Sequence, residues 1–172
     1  MARRSGPEST LPAQRRASRY ALGFQVPRVP ERRLTRADDD PVAELMRRWS
    51  GPQWATTADF AEAVRRYRAA SRIPQAAYGA MEYHRWAARS QLRPDGLRYA
   101  RRMAAPVTAP TLQLHGALDP CVLPDSARGS ARYVAGAYEW RELPGVGHFP
   151  QEETPDEVTR AIAGWATGPD SG

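Results

Sequence analysis

The sequence predicts an α/β protein in which a helical segment is followed by two strand–helix units. Residues 18 to about 103 show helical spacing of apolar side chains and contain no strand-like run. Two short β-type runs then follow, each with a helical stretch behind it. This order implies that the two strands pair in parallel. Because two strands with one helix on each side cannot bury both faces of a parallel sheet, we expect them to belong to a larger sheet.

Three helices are predicted in the helical segment. The first covers Pro41–Trp49 and begins with a proline after an acidic run that ends at Asp40. The second spans Thr57–Ala70, where apolar residues recur at helical spacing behind a threonine cap. The third runs from about Pro74 to Arg89. Residues 1–17 are polar and show neither helical nor strand periodicity, so we expect a disordered lead-in there.

The second half of the chain carries the strand–helix units. A short strand is predicted at Thr111–His115 and a second at Tyr138–Leu143. A helix is expected between them at Pro124–Val134, and an amphipathic helix at Pro155–Trp165 after the second strand. The expected divisions are therefore a helical cap at 18–103, a sheet-forming part at 104–167 and a tail at 168–172.

Composition excludes several classes of protein. The chain has 172 residues and a formal net charge of +6, and its 25 basic residues are all arginine. These arginines are dispersed among acidic residues, so we expect solvated helix faces and no nucleic-acid partner. No run approaches the roughly 20 apolar residues of a membrane span. A single cysteine, Cys121, rules out an internal disulfide and a cysteine metal cluster, and the polar start lacks a signal-peptide core. We therefore expect a cytoplasmic protein without metal or cofactor.

Two residues are placed where chemistry gathers in open α/β sheets. Asp119 follows the first predicted strand and His148 follows the second. Because neighbouring parallel strands bring their carboxyl ends together, we expect the two side chains to be in hydrogen-bond contact. A carboxylate bonded to one imidazole nitrogen leaves the other nitrogen free to act as a base. The other histidines, His84 and His115, are expected to be structural.

The sequence resembles a known family over most of its length. Residues 110–166 resemble the last two strands and helices of the α/β-hydrolases, and residues 18–103 resemble the helical cap of the epoxide-hydrolase-like branch, most closely at Tyr20–Glu31. The resemblance implies that Asp119 and His148 are the acid and base of a catalytic triad. It also implies that Tyr20 and Tyr83, the latter within Met81–Arg85, are cap tyrosines that donate hydrogen bonds to an epoxide oxygen. Both tyrosines are then expected to point towards His148.

The family's other signatures are absent from the sequence. No G-x-S-x-G or G-x-D-x-G run stands between a predicted strand and a predicted helix, where a nucleophile elbow lies, and His115-Gly116 is better explained as the turn that leads to Asp119 than as an oxyanion-hole loop. The leading interpretation is a truncated α/β-hydrolase whose intact relatives add water to an epoxide, in a small apolar substrate, through an aspartyl ester. Related dehalogenases and esterases share the cap, so the substrate class stays open. We expect the chain alone to lack appreciable activity and to be poorly folded or self-associated through exposed sheet edges. The alternative is a non-catalytic cap-like module that binds small molecules or a partner.

Overall fold

The computed structural model describes residues 7–36 and 40–168. Its first part is helical. The helices are α1 (Pro7–Ala17), α2 (Tyr20–Phe24), α3 (Val29–Thr35), α4 (Pro41–Trp49), a short 3-10 helix (Trp54–Thr56), α5 (Ala58–Ser71), α6 (Ala76–Ser90) and α7 (Pro94–Met103). In the described ranges, no helix is both long enough and apolar enough to cross a membrane.

The second part contains the two strands. The elements are β1 (Thr111–Gly116), α8 (Pro124–Arg128), a 3-10 helix (Gly129–Tyr133), β2 (Tyr138–Leu143), α9 (Pro150–Glu153) and α10 (Pro155–Ala166). The strands pair in parallel, in register from Thr111 opposite Tyr138 to Gly116 opposite Leu143. The predicted α/β class and the parallel pairing are therefore confirmed, whereas the predicted division into domains stays a prediction.

Helix α1 corrects one expectation. Residues 7–17 form a helix where the sequence predicts a disordered lead-in, and residues 1–6 of that lead-in lie outside the described part of the chain. The helix is stabilised by a tertiary contact instead of by local apolar spacing. The Gln14 side-chain amide donates a hydrogen bond to the carbonyl of Cys121 at 2.8 Å and accepts one from the N–H of Leu123 at 2.8 Å. Residues 169–172 of the predicted tail also lie outside the described residues.

The hydrophobic core lies among α4, the first 3-10 helix and α5. Helices α4 and α5 begin at side-chain caps, of which only the threonine was predicted: Asp40 accepts a hydrogen bond from the N–H of Ala43, and Thr57 accepts one from the N–H of Phe60, each at 3.1 Å. The buried cluster consists of Val42, Ala43, Met46, Trp54, Phe60, Ala63 and Val64. Phe149, one residue after His148, packs against it. The core of the helical part thus reaches the loop that carries His148.

The predicted helix at 124–134 is shorter in the structure. It ends as an α-helix at Arg128 and tightens into a 3-10 turn, because the chain then pairs with the segment that precedes β1. The N–H of Val107 donates to the carbonyl of Tyr133 at 2.7 Å, and the N–H of Ala135 donates to the carbonyl of Val107 at 2.8 Å. This pairing pulls the backbone out of helical geometry. The first five residues of β1 are only half-buried, so the sheet is incompletely covered.

Candidate active site

Asp119 and His148 are in direct contact at the carboxyl end of the sheet. Asp119 follows β1, His148 follows β2, and Nδ1 of His148 lies 2.9 Å from Oδ2 of Asp119. The two loops are tied together, since the N–H of Leu118 donates to the carbonyl of Val146 at 2.8 Å. The contact predicted from the sequence is therefore present.

The surroundings of Asp119 favour its ionised form. Burial opposes the charge, but the hydrogen bond from His148 and those from the backbone N–H groups of Val122 and Cys121 outweigh it, so the pKa of Asp119 lies below its ordinary value. The two backbone donors lie 3.1 and 2.7 Å from Oδ1. A buried, ionised Asp119 can hold His148 in the tautomer with a proton on Nδ1, leaving Nε2 as the free base.

His148 is held by the helical part of the chain. Its backbone N–H donates to the carbonyl of Trp49, at the end of α4, over 2.7 Å. The rings of Trp49 and Phe149 pack edge-on against the imidazole, with centroids 5.5 and 5.2 Å away. The imidazole is one-third exposed, and these aromatic contacts limit how far it can turn.

Tyr20 lies beside the pair, as the resemblance implies. Its ring packs against Trp49, with centroids 5.0 Å apart, and Trp49 in turn contacts His148. Burial, followed by the neighbouring Cys121 and Asp119, raises the pKa of Tyr20 to about 12. The phenol therefore stays protonated at neutral pH and can donate a hydrogen bond.

Tyr83 is mostly exposed, and its orientation towards His148 stays a prediction. Its side chain is 70% exposed and its ring contacts only His84 among the described aromatic residues. The reason is helical geometry: α6 buries Ala77, Met81 and Arg85, and Tyr83 lies two positions, or about 200° around the helix, from Met81 and from Arg85. From α6 it is His84 whose ring reaches the site's surroundings, through Phe24 at 5.1 Å.

No nucleophile accompanies His148 in the described part of the chain. The ring's hydrogen bond is to Asp119, and the nearby thiol is that of Cys121. Cys121 is buried, and burial together with the charge of Asp119 raises the pKa of its thiol to about 12. A thiol that stays protonated is a poor nucleophile. This environment makes Cys121 unsuited to the role of nucleophile.

The same three side chains are the candidates for a metal site. Donor atoms of Asp119, Cys121 and His148 lie within 4.8 Å of one another. A zinc ion there would require loss of the thiol proton and of the hydrogen bond between Asp119 and His148. The chemistry of the donor set therefore favours a hydrogen-bonded pair, and the absence of a metal stays a prediction.

A cleft of about 330 Å³ opens between α2, α3 and α4. Its lining is mostly apolar and aromatic and includes Phe24, Leu34 and Leu45. Tyr20 and Trp49 line the cleft and also surround the Asp119–His148 pair, so the two regions are continuous. An apolar cleft next to a few polar groups is typical of a small-molecule site.

Sequence reasoning missed three residues that shape this site. The sequence predicts Trp49 only as the last residue of a helix, and its contacts with Tyr20 and His148 depend on tertiary packing. His115 lies 3.8 Å from Asp119, and its Nε2 donates a hydrogen bond to the carbonyl of Val122 at 2.9 Å. Glu153 binds the backbone around His148. Its position in the first turn after a Gly-His-Phe-Pro run was the one available signal, since acidic residues there often bind backbone N–H groups.

Comparisons with known proteins bear on the fold. No family model and no curated protein matches the chain. Among solved structures, Cfl2 from Burkholderia cenocepacia superposes with a TM-score of 0.67 at 18% identity, over 95% of this chain and 51% of that one. An epoxide hydrolase from Bacillus megaterium, in complex with an inhibitor, gives 0.64 at 22% identity, over 93% and 55%. A thermophilic esterase from Thermogutta terrifontis, with malate bound, gives 0.52 at 21%, over 96% and 52%.

These similarities establish the architecture. The chain has a partial α/β-hydrolase fold, with a helical cap followed by the C-terminal part of the core, as in the structures of epoxide hydrolases. It spans about half the length of the structures that it resembles. The fold class predicted from the sequence is therefore confirmed in full.

Proposed function

We propose that this chain supplies the acid and the base of a hydrolase active site, together with a cap that binds a small apolar substrate. The observation that carries the proposal is the 2.9 Å contact between Nδ1 of His148 and Oδ2 of Asp119 at the ends of adjacent parallel strands. In this arrangement Asp119 is a buried hydrogen-bond acceptor, and Nε2 of His148 is left for chemistry.

The pair suits the hydrolytic half of an ester mechanism. Nε2 of His148 removes a proton from water as the water oxygen attacks the carbonyl carbon of a covalent ester, and Asp119 stabilises the imidazolium that forms. The proton on Nε2 is then available to the departing alkoxide. In the intact relatives implied by the resemblance, this ester is formed when an aspartate opens an epoxide.

An epoxide is the proposed substrate class because of Tyr20. Its hydroxyl, with a pKa of about 12, stays protonated and can donate a hydrogen bond to an epoxide oxygen as the ring opens. The apolar cleft beside it suits a small hydrophobic substituent. The proposal leaves Tyr83 out, since its exposed side chain faces away from the buried face of α6. The similarity to an esterase makes a carboxylic ester the competing substrate.

We propose further that the chain alone does not turn over substrate. A buried thiol with a pKa of about 12 cannot replace a nucleophile elbow, and an imidazole–carboxylate pair activates water only weakly. A second function, small-molecule binding without catalysis, is favoured by the cleft, which needs no nucleophile to hold a ligand.

Chemical modification tests the role of the pair. Diethyl pyrocarbonate reacts with neutral imidazole nitrogen, so we expect it to label Nε2 of His148, located by mass spectrometry, with the reaction lost in His148→Ala and slowed in Asp119→Asn. Failure to label His148, or equal rates with and without Asp119, would contradict the proposal. Turnover of styrene oxide or 4-nitrophenyl acetate by the purified chain, abolished by His148→Ala, would show that a nucleophile is present after all.

A ligand titration tests whether the cleft binds a small molecule and whether Tyr20 takes part in the binding. Titration with styrene oxide, followed by NMR, should shift the signals of Tyr20 and Trp49, and Tyr20→Phe should weaken the binding. Tyr78→Phe is the matched control, because Tyr78 is half-exposed on α6 outside the cleft. Shifts with no dependence on Tyr20 would favour plain apolar binding over epoxide recognition.

Self-association through β1 is also proposed. In the described residues β1 has one strand neighbour, β2, and carries no acidic or basic side chain other than His115, whereas β2 carries Glu139, Arg141 and Glu142. Charged edges resist pairing with other chains, so the free edge of β1 is the vulnerable one. Thr111→Lys should then reduce the mass measured by light scattering, whereas Ala137→Lys, which adds the same charge beside β2, should not.

A cytoplasmic location and the absence of nucleic-acid partners stay predictions.

A further inference from the structure

One carboxylate joins the cap to the loop that carries His148. Oε2 of Glu153 accepts hydrogen bonds from the backbone N–H groups of Gly51 and Gly147, each at 2.8 Å, and Oε1 accepts from the N–H of Phe149 at 3.0 Å. Gly51 lies just beyond α4, whereas Gly147 and Phe149 flank His148. Hydrogen bonds to a charged acceptor are roughly twice as strong as neutral ones.

The two segments that Glu153 binds lie face to face without room for side chains. A Cβ atom at Gly51 would lie 2.0 Å from the carbonyl oxygen of Gly145, and one at Gly147 would lie 2.3 Å from the carbonyl oxygen of Trp49. Both glycines are therefore required by the close approach of backbone to backbone. This approach lets a single carboxylate reach N–H groups of both segments.

The backbone on either side of His148 is thereby fixed at three consecutive positions. The N–H of Gly147 and that of Phe149 bind Glu153, and the N–H of His148 itself binds the carbonyl of Trp49. With the backbone held at all three, the direction of the Cα–Cβ bond of His148 is set. That direction decides whether Nδ1 meets Asp119.

We infer that Glu153 is a positioning residue for His148, one that aligns the imidazole with Asp119 by binding the cap and the histidine loop together. The inference rests on the proposed function only in calling His148 the base; the alignment itself is a structural claim. Glu153 does not touch the imidazole, so it acts through the backbone.

The substitution Glu153→Gln removes the charge with little change in shape. Both carboxylate oxygens accept N–H donors, so whichever way the amide turns, its NH₂ group faces at least one backbone N–H. Glu152→Gln is the matched control: it is the neighbouring residue, and it binds Arg66 and Tyr67 through its side chain instead of the histidine loop.

NMR of the imidazole supplies a measurement that general loosening of the fold would not mimic. In the wild type and in Glu152→Gln we expect a hydrogen-bonded Nδ1 proton signal from His148. In Glu153→Gln we expect that signal to be lost to exchange while the far-UV circular dichroism is unchanged. A signal of wild-type intensity in Glu153→Gln would overturn the inference.

A measurement on the unmodified chain covers the case in which Glu153→Gln does not fold. The amide protons of Gly51, Gly147 and Phe149 should then exchange slowly in the wild type, as that of His148 should. Exchange of these three at the rate of an open loop would overturn the inference. Neither experiment measures turnover, so the positioning role of Glu153 and the proposed function can fail independently. A negative epoxide or ester assay does not contradict the role of Glu153. An unchanged NMR signal in Glu153→Gln contradicts that role but says nothing against the proposed function.

Discussion

Replacing Gly147 with alanine would insert a methyl group between two backbone segments. The new Cβ atom would lie 2.3 Å from the carbonyl oxygen of Trp49, 2.6 Å from the carbonyl carbon of Ser50 and 2.7 Å from the nitrogen of Gly51. All three neighbours are backbone atoms, so no side chain can turn aside. The segments would have to separate by about 1 Å to restore ordinary contact, which would stretch the 2.7 Å hydrogen bond between His148 and Trp49 beyond its working range.

The expected cost follows from these two effects. Overpacking of this kind costs about 1–3 kcal/mol, and a weakened hydrogen bond adds about 1 kcal/mol, so we expect a loss of about 2–4 kcal/mol in the free energy of unfolding. That is a large share of the roughly 5–15 kcal/mol that holds a small domain folded. Urea unfolding followed by circular dichroism measures the loss. The Nδ1 proton signal of His148 should weaken in the same variant.

Gly164→Ala is the internal control for this experiment. Gly164 lies within α10, and a Cβ atom there would meet nothing within 4 Å. Alanine in a helix is favoured over glycine, so this variant should be more stable by about 0.5–1 kcal/mol. If Gly147→Ala unfolded at the same urea concentration as the wild type, the close approach of the two segments, and the argument built on it, would be refuted.

Three further outcomes are expected. Phe60→Ala should cost about 3–5 kcal/mol of unfolding free energy, since Phe60 is 4% exposed in the core, and a variant as stable as the wild type would contradict the described packing. Asp119→Asn should lower the free energy of unfolding at neutral pH, because the folded-state pKa of Asp119 is depressed. The stabilisation by ionised Asp119 is present above the ordinary pKa of 3.8 and is lost as the pH falls through the folded-state pKa. The urea unfolding curves of the two proteins should therefore converge in acid. Cys121, with a thiol pKa of about 12, should resist iodoacetamide at mildly alkaline pH until urea unfolds the chain, and rapid alkylation of the folded protein would show that its burial is wrong.

Local features of the sequence were enough to predict several elements. Helix α4 has the predicted bounds, and α5 begins one residue later than predicted, because capping side chains and apolar spacing act within a few residues of one another. Strand β2 also has the predicted bounds, and β1 extends by one residue to Gly116. The order of these elements was sufficient to place Asp119 and His148 at neighbouring strand ends.

Elements that depend on distant contacts were not predicted. Helix α1 is held by Gln14 bonding to the loop after Asp119, more than 100 residues along the chain, so no local pattern marks it. The family resemblance treated Tyr20 and Tyr83 alike, although one packs beside the pair and the other is mostly exposed. Local sequence identified both tyrosines, but the rotation of α6 against its neighbours decides which way a side chain points.

The sequence by itself determined the α/β class, the parallel order of the strands and the meeting of Asp119 with His148 at the strand ends. These follow from periodicity, caps and the geometry of parallel strand ends, which are properties of short segments and their order. Only the tertiary structure decided how His148 is held: through Trp49 and Glu153, and through glycines that let two backbones meet. The contacts with the end of α4 join residues about 100 positions apart, and their distances depend on how whole helices pack, which no local pattern encodes.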